Sequence, residues 1–262
     1  MMVKICLLVF VPFVQCCNNS VQDKIISHTI SSALPYDTKL NTAAFIKDIP
    51  VPAGFERKTS SNNSFAEWLR NVSLKEEKTV YLFDGTQKLN QLAQYAVLNI
   101  SVGTKNLQQC ADAVMRLRAE YLFSNKRFEE IKFQDNNGKE YIFNPPYEKD
   151  NFKVYLDKVF AMCGSASLSK QLKIVHQFLD IDGGDVLIRG GFPGHAVIVM
   201  DVALNEKGNK IYLLAQSYMP AQDIHLLINP LDKELSPWYV INDKMDIETP
   251  EYNFKKTELK TW

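Results

Sequence analysis

The sequence predicts an α+β fold in which one long helix packs on an antiparallel sheet, and two observations carry that reading. In the middle of the chain Cys110, Ala113, Val114, Leu117 and Tyr121 recur at helical spacing on one face. After Asp185, residues 186–188, 195–202, 211–218 and 224–228 form four apolar, strand-like runs joined by turn residues. A chain of 262 residues that is 46% hydrophobic and 23% charged is long enough to bury a full core around such elements.

The chain opens with Met1-Met2-Val3-Lys4 and an apolar run from residue 5 to 14, interrupted by Pro12 and ending at Gln15-Cys16-Cys17. Roughly ten apolar residues are half of the about 20 that a membrane-spanning helix needs, so residues 1–16 read as a signal peptide. A cysteine straight after the apolar region, with Val14 three positions before Cys17, resembles the lipobox of bacterial lipoproteins. The resemblance implies that Cys17 receives the lipid and that the protein is exported to the cell envelope. It would be anchored there to a membrane, facing the periplasm or the cell exterior. Residues 17–48, rich in Ser, Asn, Thr and Lys without a sustained period, read as a lipid-anchored flexible linker to a single globular domain over 49–262.

Pro50, Pro52 and Gly54 fix an extended entry into that domain, and Ser64 is placed to cap a short helix ending at Leu69. Residues 81–85 and 95–100 read as strands. Asn106 is the expected cap of the long helix, read over 107–123, with Asp112, Arg116, Arg118 and Glu120 on salt-linked faces. A hairpin over 131–143 turns at Asn137-Gly138, Pro145-Pro146 breaks the chain, and helices follow at 151–162 and 168–173.

Lysine and arginine together number 30, as do aspartate and glutamate, so no net field gathers polyanions and nucleic acid is not an expected partner. The spacing of His176 and His225 from His195 matches no common zinc-ligand pattern, and neither metal nor cofactor is expected. With Cys17 acylated, Cys110 and Cys163 are the thiols left after the leader. They could bridge in an oxidising compartment, or one could be a functional thiol and the other a bystander.

Gly184-Asp185-Val186-Leu187-Ile188, followed by Pro193-Gly194-His195-Ala196-Val197, sets a histidine at the start of a buried strand just after a turn. That is where a base can meet a cleft. Cys110 lies in the first turn of the long helix, where unpaired N–H groups and the helix dipole favour thiolate. A polar side chain on the strand after the histidine would orient the ring. Gln216 takes that place if Asn205 closes the hairpin with Gly208, and Tyr218 takes it if Glu206 closes with Asn209. Each residue also has a purely structural role open to it, Cys110 as a core thiol and His195 as a hydrogen-bonded core histidine.

The Gly-Asp strand followed by Gly-His and an apolar strand resembles NlpC-type and CHAP peptidases and amidases, the cell-wall branch of the papain-like fold. The resemblance implies a papain-like (NlpC-type), cysteine-hydrolase-like fold acting on peptidoglycan peptides. Cys110 would be the nucleophile, His195 the general base and Gln216 the orienting group, with the Cys110 sulfur within about 4 Å of a His195 ring nitrogen. Three strings are similar to a bacterial lipoprotein family known only as domain of unknown function 4846: Leu107-Gln108-Gln109-Cys110-Ala111-Asp112-Ala113-Val114, Pro193-Gly194-His195-Ala196-Val197-Ile198-Val199 and Leu214-Ala215-Gln216-Ser217-Tyr218. That likeness supplies no activity. The alternative is a non-catalytic envelope binding or scaffold lipoprotein on the same fold, its cysteine structural.

Overall fold

Every residue from His195 to Ala203 is buried, which a strand achieves only when both faces of its sheet are covered. That requirement organises the molecule. The structure, a computed structural model, describes residues 40–241 and 246–262. Along them run β1 (Phe55–Arg57), α1 (Phe65–Arg70), β2 (Gln94–Val97), α2 (Cys110–Ser124), β3 (Lys132–Gln134), β4 (Glu140–Ile142), α3 (Lys149–Met162), α4 (Ser165–Gln171), β5 (Lys173–Ile174), β6 (Val186–Arg189), β7 (His195–Asn205), β8 (Lys210–Gln216), β9 (His225–Leu227), β10 (Tyr239–Val240), β11 (Ile247–Glu248), β12 (Asn253–Phe254) and β13 (Leu259–Thr261). The class is mixed α+β, with one large antiparallel sheet ordered β2-β9-β8-β7-β6-β13-β5. β1 pairs with the far end of β7, and β10 with the start of β8.

One face of the sheet, carrying Ala196, Ile198, Met200, Leu213 and Ala215, shares a core with Val114 and Leu117 of α2 and with Phe65, Leu69, Leu156 and Leu168. The opposite face, carrying Val197, Val199, Leu214 and Tyr212, packs on Phe178, Ile181, Ile247 and Phe254. Leu117 is fully buried, so truncating it to alanine would cost about 2–5 kcal/mol.

The local chemistry explains most boundaries. Ser64 caps α1 by accepting the Glu67 N–H at 3.2 Å, as its position suggested. α2 begins at Cys110, not Leu107, because Asn106 is used elsewhere: its Oδ1 accepts the Ala221 N–H at 2.8 Å and so ties the pre-helix loop to the segment after β8. Residues 81–85 form isolated bridges instead of a strand, Tyr81 with Gln87 and Leu82 with Gln222, since the chain turns back on itself at Gly85. The core reaches back to Ala43 and Ile46, residues expected in the linker. Of the expected salt-linked helix face, Arg116 does meet Glu120 at 3.5 Å. Arg118 instead lies over the rings of Phe65, Tyr121 and Trp262, and Asp112 is buried with no cation partner among the described residues. The signal peptide, Cys17 and most of the expected linker lie outside the described residues.

Candidate functional site

The site grows from three local decisions of the chain. The first is Gly194, whose missing side chain lets β7 begin against the start of α4. A Cβ there would lie 2.6 Å from the Arg189 carbonyl oxygen and 2.7 Å from that of Gly191, and would overlap the Ser165 hydroxyl. Only glycine fits this approach, and His195 follows it directly.

The second decision is a β-bulge. Near the turn β7 and β8 pair as Leu204 with Lys210 and Ala203 with Ile211, but the register shifts between Val199 and Asp201, after which Ile198 faces Ala215. At the turn the Gly208 N–H donates to the Asn205 carbonyl at 2.9 Å, the first of the two closures weighed from the sequence, and the Asn205 N–H donates to the Asn209 carbonyl at 3.0 Å. Without the bulge, Gln216 would stand opposite Ile198, on the face away from His195. The extra residue flips it back. Gln216 and Tyr218 therefore share the His195 face, and both reach the ring: Gln216 Oε1 lies 2.8 Å from His195 Nε2, and the Tyr218 and His195 rings are 4.7 Å apart.

The third decision places Glu251 between β11 and β12, where it fixes which way Gln216 points. Gln216 Nε2 donates to Glu251 Oε2 at 2.7 Å, and Lys88 Nζ holds the same oxygen at 2.7 Å. A carboxylate only accepts, so the Gln216 amide must present its nitrogen to Glu251 and its oxygen to His195. His195 Nε2 therefore carries the proton, and Nδ1 keeps its lone pair. His225 completes the set. Its Nδ1 donates to the Asp223 carbonyl at 2.9 Å, which leaves its Nε2 to accept the second Gln216 N–H at 3.4 Å.

Cys110 stands at the N-terminus of α2, 8% exposed and unbridged, as is Cys163. The backbone N–H groups of Ala111, Ala196 and Cys110 itself are directed at its sulfur, which places the thiol against the backbone at the start of β7. No hydrogen bond joins the thiol to the ring among the described residues. Burial, reinforced by the charge of Asp112, pushes the Cys110 thiol up to about 11 against those N–H groups. Burial pulls His195 down to about 4, with Gln216 and Glu251 acting the other way. At neutral pH the two groups are thus a thiol and a neutral imidazole. A cleft of about 470 Å³ opens beside Cys110, lined also by Asp112, Cys163, Ser165, Phe192 and Met219.

Of the three residues read from the sequence, His195 and Gln216 are brought together, with Tyr218 added to the ring rather than replacing Gln216; Cys110 shares the core on the α2 side of the sheet, whereas the His195 ring stacks on Tyr252 and Phe254 on the other. Lys88, Glu251 and Tyr252, whose ring lies 4.9 Å from that of His195, carried no motif or period that could have announced them.

These features define a mixed α+β fold with a strand-borne histidine and an amide on one tautomer network, and a cysteine at the start of a helix. The chain belongs to the family described as domain of unknown function (4846), whose model matches residues 46–145 and 143–261. No curated protein and no solved structure matches it.

Proposed function

We propose that this chain is a papain-like cysteine hydrolase that cleaves amide bonds, with peptides of the cell wall as its substrate class. The observation that supports this most is the Nε2–H tautomer of His195, held by Gln216 and Glu251, on the strand whose Ala196 N–H is directed at the Cys110 sulfur. In the first step the Cys110 S–H proton moves to His195 Nδ1 as sulfur bonds to the carbonyl carbon and the carbonyl electron pair moves to oxygen. Collapse breaks the C–N bond, and the leaving amine takes the proton from Nδ1. Water then attacks the thioester, giving its proton to Nδ1, and the acid is released as the thiol re-forms. The Cys110 backbone N–H, at a helix start, is available to the developing oxyanion.

The test is hydrolysis of peptidoglycan peptides by the full chain, read as new amino groups by mass spectrometry. Cys110→Ala should lower the rate about 1,000-fold or more with melting temperature little changed, and His195→Ala should lower the rate per folded molecule as far, with a lower melting temperature because its buried ring is removed. Equal product from Cys110→Ala would refute the reading.

A second reading, a non-catalytic binding or scaffold lipoprotein, is favoured by the buried, neutral state of the thiol. It expects saturable retention of wall peptides with no cleavage and no loss of retention in His195→Ala. We propose further that Cys17 is lipidated and tethers the domain to an envelope membrane. Labelled palmitate should enter the native protein and not Cys17→Ser, and equal labelling of the two would move the anchor elsewhere.

A further inference from the structure

Among the described residues, Asp112 is the single charged one lining the cleft beside Cys110. It is the third residue of α2, and its side chain folds back so that Oδ2 accepts the Gln109 N–H at 2.9 Å. Helix capping accounts for that oxygen alone. Oδ1 is buried with no partner, in a residue only 6% exposed. The nearest arginine along the helix, Arg116, is committed elsewhere, to the Ser101 carbonyl at 2.6 Å and Gln108 Oε1 at 2.5 Å. An unpartnered acid oxygen in a buried position is costly unless something in the functional state meets it. Nothing basic among the described residues lines the cleft to do so.

We propose that the cleft seats a substrate bearing an ammonium group, such as a free α-amine, with that group held by the unpartnered oxygen of Asp112 beside the Cys110 sulfur. The assignment of this ligand as a substrate rests on the hydrolase reading above; the ammonium subsite itself does not. Burial keeps the empty site neutral, since it pushes the Asp112 carboxyl up to about 8. On binding, the acid proton leaves to solvent and the ammonium takes its place, so the buried site stays without net charge. The same exchange offsets the carboxylate's repulsion of a Cys110 thiolate. A substrate carrying a carboxylate at this position would find no cation in the cleft, and would meet Asp112 as a like charge once that acid ionises.

The test uses two thiol reagents of matched size on the full chain, the cationic 2-aminoethyl and the anionic 2-sulfonatoethyl methanethiosulfonate. Modification of Cys110 is followed by peptide mass spectrometry, and each rate is divided by that of a free model thiol. The cationic reagent should be favoured about tenfold or more, falling to about twofold or less in Asp112→Asn, whose side-chain oxygen still caps Gln109. A ratio near one in the unaltered protein overturns the proposal, and that measurement stands even if the variant fails to fold. An unchanged ratio in a folded Asp112→Asn overturns it too. A cation preference without peptide hydrolysis would sink the hydrolase reading and leave the subsite. Hydrolysis that treats free and N-acetylated peptides alike, with no cation preference, would sink the subsite and leave the hydrolase.

Discussion

The two ends of strand β7 handle buried polar groups in opposite ways. Towards its C-terminal end Asp201 is fully enclosed, yet both carboxylate oxygens are met by charge, Arg57 Nε at 2.7 Å and Arg70 Nε at 2.5 Å. Arg57 is anchored in turn on the Ile49 carbonyl at 2.7 Å, which ties the N-terminal segment of the domain to the sheet. At the other end of the strand, His195, Cys110 and Asp112 are as deeply buried, and burial drives each toward its neutral form. One end has used its charges to fix structure. The other holds groups desolvated and incompletely partnered, a state that costs stability and persists where a reaction or a ligand completes it.

The largest effect that could break this contrast is at Asp201. Asp201→Asn leaves two arginines facing a neutral amide inside the fold, and should lower unfolding free energy in urea by about 3–5 kcal/mol. Hydrolysis by the fraction still folded should be unchanged, because Asp201 touches nothing at the other end. A loss of activity in folded Asp201→Asn, or a stability cost below about 1 kcal/mol, would mean the two ends are not separable as described.

Next in size is the support of the histidine. Glu251→Ala frees the Gln216 amide to turn over and leaves Lys88, only 7% exposed, without its partner. The hydrolysis rate should fall about ten- to a hundredfold, and the nitrogen chemical shifts of His195 should move from a pure Nε2–H form to a mixture. Glu251→Gln should restore both, since its amide oxygen still accepts from Gln216. A purely structural role for Glu251 would lower stability and leave the His195 tautomer as it was.

How far this arrangement could be read from the sequence follows from the range of each interaction. Cys110 and His195 announce themselves locally, by a helix start and by a glycine before an apolar run. The four main strands do the same through their apolar runs. Gln216 depends on one bulged residue in the middle of β7, which leaves no trace in a pattern of uninterrupted apolar residues. Its placement was therefore an alternative in the sequence and a fact only in the structure. Glu251 and Lys88 lie 163 positions apart and meet through tertiary packing alone. Asp112 misled for a related reason: acid and base residues at short spacing suggest a solvated helix face, and the burial of that face is decided by α2 docking on the sheet. The short C-terminal strand β13, which slots between β6 and β5, offered two or three residues and no period to detect.

The smallest effect, and the one that tests the neutral end of the strand most directly, is the pH dependence of stability. Asp112 has its carboxyl raised from 3.8 to about 8 by burial, so the folded protein holds this proton more tightly than the unfolded chain. The stability it contributes is complete below pH 3.8 and is lost as pH rises toward 8. His195 works in the other direction. Lowered from 6.5 to about 4, it contributes stability that is present above pH 6.5 and lost as pH falls through 4, and His225, lowered to about 3, behaves alike. Cys110 and Cys163 titrate near 11 and 12, outside the range of interest. The opposing shifts overlap below pH 6.5, which leaves the interval from 6.5 to 8 to the acid. Across it the native protein should lose about 1–2 kcal/mol relative to Asp112→Asn, measured by urea unfolding of both proteins side by side. The difference between the two removes any contribution from Asp185, which burial also raises and which the variant keeps. Parallel curves over this interval would mean that Asp112 ionises like a surface carboxyl, and the contrast between the two ends of β7 would then reduce to the histidine and the thiol.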